Sequence, residues 1–244
     1  NRVMKLASFS IGNRCSYGVV TDEGVIDISQ QPGAPGNLRS ALAKLTTEEI
    51  AALTADRLPD HELGDIVYLP PITDPKKILC IGVNYVNRNE EYDETTLPQY
   101  PSVFIRTPGS LVGHLQPIIR PMESKQLDYE GEIAIIIGKA GRRIPQESAE
   151  SYIAGLTVLQ EGSVRDWMRH GKFNVTQGKN FERSGAIGPW LITADEFHGY
   201  DDLTVSTRVN GDPRQFDTTA NLLFSFSYLI SYLSTFFHLE PGDI

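Results

Sequence analysis

Gln126-Leu-Asp-Tyr-Glu-Gly-Glu-Ile-Ala-Ile-Ile-Ile-Gly138 decides how this chain is read, because an apolar run follows directly on two acids spaced two apart. Side chains two residues apart on a strand share a face, so Glu130 and Glu132 are aimed at one point. Two like charges at the mouth of a buried strand repel and lose solvation, a cost that a cation between them offsets. Glu161 follows the apolar run Gly155-Leu-Thr-Val-Leu-Gln160 and adds a third carboxylate at a strand end, a common rim of a cleft. Three carboxylates without His or Cys make a hard oxygen site, suited to Mg²⁺ or Mn²⁺ and poorly suited to Zn²⁺. The same acids also suit the wet face of an edge strand and a helix cap, and residue pattern alone leaves both readings open.

Outward from this run, further strands are expected at Ile78 to Val83, Ser102 to Arg106, Pro117 to Arg120, Ala154 to Leu159, Pro189 to Thr193 and Thr204 to Val209, with that of the acid pair at Glu132 to Ile137. Helical spacing predicts helices over Gln146 to Tyr152, introduced by Ile144-Pro145, and over Asn221 to Phe237. Residues 3 to 29 alternate apolar and polar between turn signals, the pattern of a short antiparallel meander. The segment from Leu38 to Leu53 has helical spacing, and Thr46-Thr47-Glu48-Glu49 supplies an N-cap candidate with acids in the first turn. Prolines at 70, 71 and 75 punctuate the chain, which predicts a small domain over residues 1–72 and a catalytic domain over 73–244.

The chain has 244 residues and a formal net charge of -9, which argues against a nucleic-acid partner because phosphate binding needs clustered cations. Basic residues do gather at Arg165, Arg169, Lys172 and Lys179, but with Asp166 and Glu182 among them, which suits a small anionic substrate. No apolar run is long enough to cross a bilayer and no secretory pattern opens the chain, so no membrane partner is expected and the reading is cytoplasmic. The first residue is Asn1 rather than Met, as in a trimmed chain. Cys15 and Cys80 have no metal-site spacing and predict no disulfide framework.

The motifs, taken together, resemble the fumarylacetoacetate hydrolase superfamily over about residues 76 to 244. Gly82-Val-Asn-Tyr85 is similar to its G-x-N-Y entry, Pro101-Ser-Val-Phe-Ile-Arg106 to its P-x-V-F-x-K strand, and Leu127-Asp-Tyr-Glu-Gly-Glu132 to its most specific motif. Gly178-Lys-Asn-Phe181, Gly188-Pro-Trp190, Val209-Asn-Gly211 and Leu239-Glu-Pro-Gly-Asp243 complete the series. The resemblance implies a mainly β (α+β) fold, a mixed β-sandwich roll with a small N-terminal α+β domain, and a homodimer. It also implies a bound Mg²⁺ or Mn²⁺ held by Glu130, Glu132 and Glu161, with Glu161 standing where the family usually has Asp. Tyr85, Arg106, Asp128 and Lys179 are carried over as substrate-binding residues, Lys179 also as the catalytic cation that steadies an oxyanion. Gly171 to Lys179 is not a phosphate loop, since its spacing is wrong and Asn180 stands where Ser or Thr is required.

One departure bears on mechanism. Hydrolytic members typically have a His and a Glu three apart after G-x-N-Y, and here Arg88 holds the His position while Glu91 remains. Arg stays protonated near neutral pH and cannot act as a base. Glu91 is the first candidate for the base, with Glu94, His114 and His170 as alternatives and His114 named with it as catalytic. The family pattern also runs on from P-G-D into a T-G-T-P strand and turn, so more chain is expected beyond Ile244. The activity expected from these residues is metal-dependent hydrolysis of a carbon–carbon bond in a small anionic 2,4-dioxo acid, an acylpyruvate of aromatic-compound catabolism. Hydration or isomerisation of an unsaturated 2-oxo acid, decarboxylation on the same site, and a catalytically silent binding protein are the alternatives.

Overall fold

The computed structural model describes residues 3–86 and 97–244. The expected N-terminal meander is present as β1 (Lys5–Ile11), β2 (Arg14–Thr21) and β3 (Gly24–Asp27), each paired antiparallel with the next. The helical pattern over 38–53 is split in two, α1 (Leu38–Lys44) and α2 (Thr47–Ala52). The break lies at Leu45 and Thr46, both extended, because Thr46 accepts from Glu49 N and Glu49 returns a bond to Thr46 N, a capping box that starts a second helix. Short strands β4 (Val67–Tyr68), β5 (Leu79–Ile81), β6 (Val103–Ile105), β7 (Leu111–Val112) and β8 (Leu127–Asp128) follow.

The long strands come next: β9 (Gly131–Ile137), which begins between the two acids, and β10 (Ile153–Gln160), which ends at Glu161. β11 (Ser163–Val164), α3 (Arg165–Met168), α4 (Thr176–Lys179), β12 (Gly185–Thr193), the hairpin of β13 (Thr204–Val209) with β14 (Asp212–Thr218), and α5 (Phe226–Phe236) complete the chain. The principal sheet runs β3-β2-β1-β12-β10-β9, with β4 on β1 and β7 on β12. The meander therefore shares one sheet with the strands that carry the acids, through Lys5↔Ile192 and Leu6↔Leu191. One core cluster likewise joins Leu6, Tyr17, Leu38 and Ile50 to Ile136 and Leu191. This is a mainly β, α+β architecture.

Three further expectations differ from the structure. Pro117 to Arg120 is not a strand: it runs as loop between Pro117 and Pro121, whose ring nitrogens have no N–H to give a ladder, and Ile119 N reaches Arg183 O instead. Gln146 to Tyr152 is a 3₁₀-helix rather than an α-helix. The helix expected over 221–237 starts only at Phe226, where Ser225 caps by accepting from Tyr228 N. Before it, the Asn84 side chain takes Phe224 N at 2.9 Å and donates to Phe224 O at 3.1 Å, holding that backbone extended. The β14 strand, rich in Asp, Pro, Arg and Gln, has no apolar alternation to announce it.

Candidate metal centre

Glu130, Glu132 and Glu161 meet because β9 and β10 are antiparallel neighbours in the register Leu159↔Glu132 and Gln160↔Gly131, which brings the start of one beside the end of the other. Glu161 N donates to Glu130 O at 2.7 Å and fixes the two strand ends together. One carboxylate oxygen of each acid lies within 4.8 Å of the others, and Glu130 and Glu161 are buried.

Two cations grip Glu130 from opposite sides. Arg165 Nη2 lies 2.7 Å from Oε1, and Lys179 Nζ lies 2.7 Å from Oε2. Lys179 also stands 3.0 Å from Glu161 Oε1 and donates to Ser163 Oγ at 2.6 Å. Arg165 Nε holds Asp128 Oδ2 at 2.8 Å. Burial pushes the Glu161 carboxyl above its ordinary value, and Glu130 adds to this, against the pull of Lys179. Among the described residues, Lys179 and Arg165 thus stand among the carboxylates of Asp128, Glu130 and Glu161.

The donor set fits a hard cation. It is all oxygen, it converges, and among the described residues Glu161 Oε1 is buried without a well-directed hydrogen bond. Cys80 lines the same cavity, but its thiol is raised well above its ordinary value, mainly by burial and then by Glu161, and is no thiolate ligand.

The acids open onto a cavity of about 990 Å³. Of the residues expected to bind substrate, Tyr85, Asp128 and Lys179 line it and Arg106 does not. The Tyr85 hydroxyl is pushed up to about 12 by burial and by Glu132 and Asp217, so it is a proton donor at neutral pH. Arg106 is 1% exposed and is spent inside the fold: it donates to Gly162 O at 2.9 Å, to Ser184 Oγ at 3.1 Å and to Ser110 Oγ at 3.1 Å. An arginine in that bonding pattern is a brace for three loops rather than a carboxylate clamp. His114 is exposed, packs edge-on against Tyr68 and lies outside the cavity lining, as does His170, which packs on Trp167. Glu91 and Glu94 lie outside the described residues.

Sequence reasoning gave no role to Gln215, nor to Ser163 and Gln160 beyond their place in the run around Glu161, and set Arg165 in that run and in a basic cluster. Of that cluster, Arg165 and Lys179 reach the acids, while Arg169 and Lys172 stay exposed. The Gln160-Glu-Gly-Ser-Val-Arg165 run offered the signal for Ser163 and Arg165, which stand two and four residues after the third acid.

Comparison with known proteins agrees with this geometry. The chain is 36% identical over 225 residues to a rat oxaloacetate tautomerase, Fahd2a, described as mitochondrial, covering 91% of this chain and 71% of the rat protein. It is 33% identical to the oxaloacetate tautomerase YisK of Bacillus subtilis, over 99% of this chain and 87% of that one. Among solved structures, a fumarylacetoacetate hydrolase of Exiguobacterium antarcticum superposes with a TM-score of 0.83 at 30% identity, covering 98% of this chain and 84% of that one. The maleylpyruvate hydrolase of Sphingobium sp. SYK-6, solved with manganese(II) and pyruvate, superposes with a TM-score of 0.79 at 25% identity, covering 98% and 86%. Residues 77–244 match the family model for the fumarylacetoacetate (FAA) hydrolase C-terminal domain, and the chain belongs to the fumarylacetoacetate hydrolase family.

Proposed function

We propose that this protein interconverts the keto and enol forms of a small 2-oxo acid of the oxaloacetate type, using a divalent metal held by Glu130, Glu132 and Glu161. The observation that carries the reading is the convergence of three carboxylate oxygens, one from each acid and all within 4.8 Å of one another, at the mouth of the cavity. Bound there, such an ion supplies Lewis acidity toward the oxygens of a 2-oxo acid. The names of the rat and Bacillus relatives support tautomerisation of oxaloacetate in particular.

The chain's own residues have separable tasks. Lys179 lies between the Glu130 and Glu161 carboxylates and bonds both, and Ser163 fixes the ammonium there. Arg165 turns Glu130 by gripping its other oxygen and is itself steadied by Asp128. Tyr85, protonated at neutral pH, presents a hydroxyl to the cavity as a donor to a substrate oxygen. Removing a proton from C3 needs a base, and Glu91 is the first candidate for it. Such a proton shift consumes no water, so the absence of the usual His beside Glu91 is less damaging to it than to hydrolysis.

A second reading, hydrolysis of an acylpyruvate, is favoured by the structural likeness to a maleylpyruvate hydrolase. Both are tested by supplying Mn²⁺-loaded protein with the enol form of oxaloacetate and, separately, with a panel of acylpyruvates. Accelerated loss of enol absorbance with all carbons retained supports the first. Pyruvate release from an acylpyruvate, with no acceleration of enol loss, replaces it with the second.

A further inference from the structure

We infer that Gln215, on the hairpin strand β14, is a positioning residue for the acid triad and sets its hold on a divalent cation without touching the ion. The inference deepens the metal-site reading above and rests on it. The two acids lie on a stretch of backbone whose consecutive N–H groups at Glu130 and Gly131 both bond to side chains. Gln160 Oε1 accepts from Glu130 N at 2.6 Å, and Gln215 Oε1 accepts from Gly131 N at 2.8 Å. Two carboxamide carbonyls from two different elements thus fix adjacent peptide units, one on each side of the Glu130 Cα.

The hairpin sits directly on this backbone. A Cβ at position 131 would overlap Thr207 Oγ1 on β13 and lie 3.4 Å from Gln215 Oε1, so a side chain here would have to displace that of Thr207. β13 and β14 form a two-stranded sheet of their own, so Gln215 supplies a bond from that separate arm to the main sheet. All four residues from Arg214 to Asp217 line the cavity, and strand alternation leaves Gln215 and Asp217 half-buried and Arg214 and Phe216 more exposed. A ligand constellation tolerates displacements of only about 0.5 Å. Groups that orient metal ligands without contacting the ion typically govern affinity by about 10- to 100-fold.

The test is calorimetric titration of Mn²⁺ into metal-stripped protein. Gln215→Leu, similar in volume but without the acceptor, is expected to raise the Mn²⁺ Kd by about 10-fold or more. Gln215→Glu, which keeps an oxygen acceptor in reach, is expected to weaken binding less than leucine does, and Arg208→Ala, on the exposed side of the same hairpin and outside the cavity lining, is expected to leave it unchanged. If Gln215→Leu does not fold, Gln215→Asn carries the comparison, because it draws the carbonyl back by one methylene and should also weaken Mn²⁺ binding. Native-like Mn²⁺ affinity in the leucine or asparagine variant, with only the metal-free melting temperature lowered, overturns the inference and leaves a structural bond. Failure of the unsubstituted protein to bind Mn²⁺ overturns the metal-site reading itself, and is thereby distinguished.

Discussion

Lys179 Nζ lies 2.7 Å from Glu130 Oε2 with both side chains nearly withdrawn from water, so the site contains its own cation before any metal enters. The ammonium is also 3.0 Å from Glu161 Oε1, which places it between two of the three acids. Such a pair is worth little as a source of stability compared with an apolar pair, but breaking it by removing one partner strands the other charge.

Replacing Lys179 by Met should therefore destabilise the metal-free protein by about 3–5 kcal/mol. Saturating Mn²⁺ should recover part of that loss, because the ion neutralises the same carboxylates. Unfolding curves of both proteins, with and without Mn²⁺, make the comparison. Equal stability of the two metal-free forms would show that the lysine does not balance the acids.

Gly131→Ala should cost about 1–3 kcal/mol of stability, since the new methyl overlaps Thr207 Oγ1. Mn²⁺ affinity should fall with it. Thr207→Ala removes the overlapping oxygen, so the double substitution should behave more like Thr207→Ala alone than like Gly131→Ala. A double-mutant cycle on melting temperature and Mn²⁺ Kd measures this coupling, and strict additivity is the contrary result.

Arg106→Lys should lower the melting temperature while leaving KM for a 2-oxo acid close to that of the parent. Lysine cannot reproduce the fork that reaches Gly162 O, Ser184 Oγ and Ser110 Oγ together. Steady-state kinetics beside thermal unfolding separate the two effects. A large rise in KM at unchanged stability would return Arg106 to the role of substrate clamp.

Asp27, 2% exposed, gives a pH prediction away from the metal centre. Burial alone would raise its carboxyl, but Ser16, His61 and Arg14 outweigh that and hold it below its ordinary value of 3.8. A depressed carboxyl contributes stability that is present above the unfolded value and lost as pH falls through the folded one. Asp27→Asn should accordingly be less stable than the parent at pH 7, by about 1.5–3 kcal/mol. The gap should narrow as pH drops below 3.8. Acid unfolding followed by circular dichroism would show a constant gap if the hydrogen-bonded carboxylate were not its source.

Much of the site was legible because strand geometry is simple. A period of two puts Glu130 and Glu132 on one face, and an apolar run ending at Gln160 predicts the strand end that delivers Glu161. What escaped was set by tertiary partners. Arg106 reads like a cleft residue at the end of Ser102 to Arg106, and only the surrounding carbonyl and hydroxyls show that it is consumed internally. The helix expected from 221 is cut short because Asn84, far away in sequence, claims the backbone of Phe224. Gln215 could not be singled out, since a glutamine on a polar hairpin carries no periodic signal and its importance lies in Gly131 across from it.

The pairing of Leu6 with Leu191 has a consequence for how this architecture can be recombined. A chimera joined near residue 72 would inherit its acids from one parent and strands β1 to β3 of the same sheet from another. The backbone of β12 at Leu191 and Ile192 would then need a partner whose side chains also fill the space beside Ile136. Exchange among relatives is therefore constrained at the seam, and a segment that supplies none of the chemistry still restricts which catalytic portions it can be matched with.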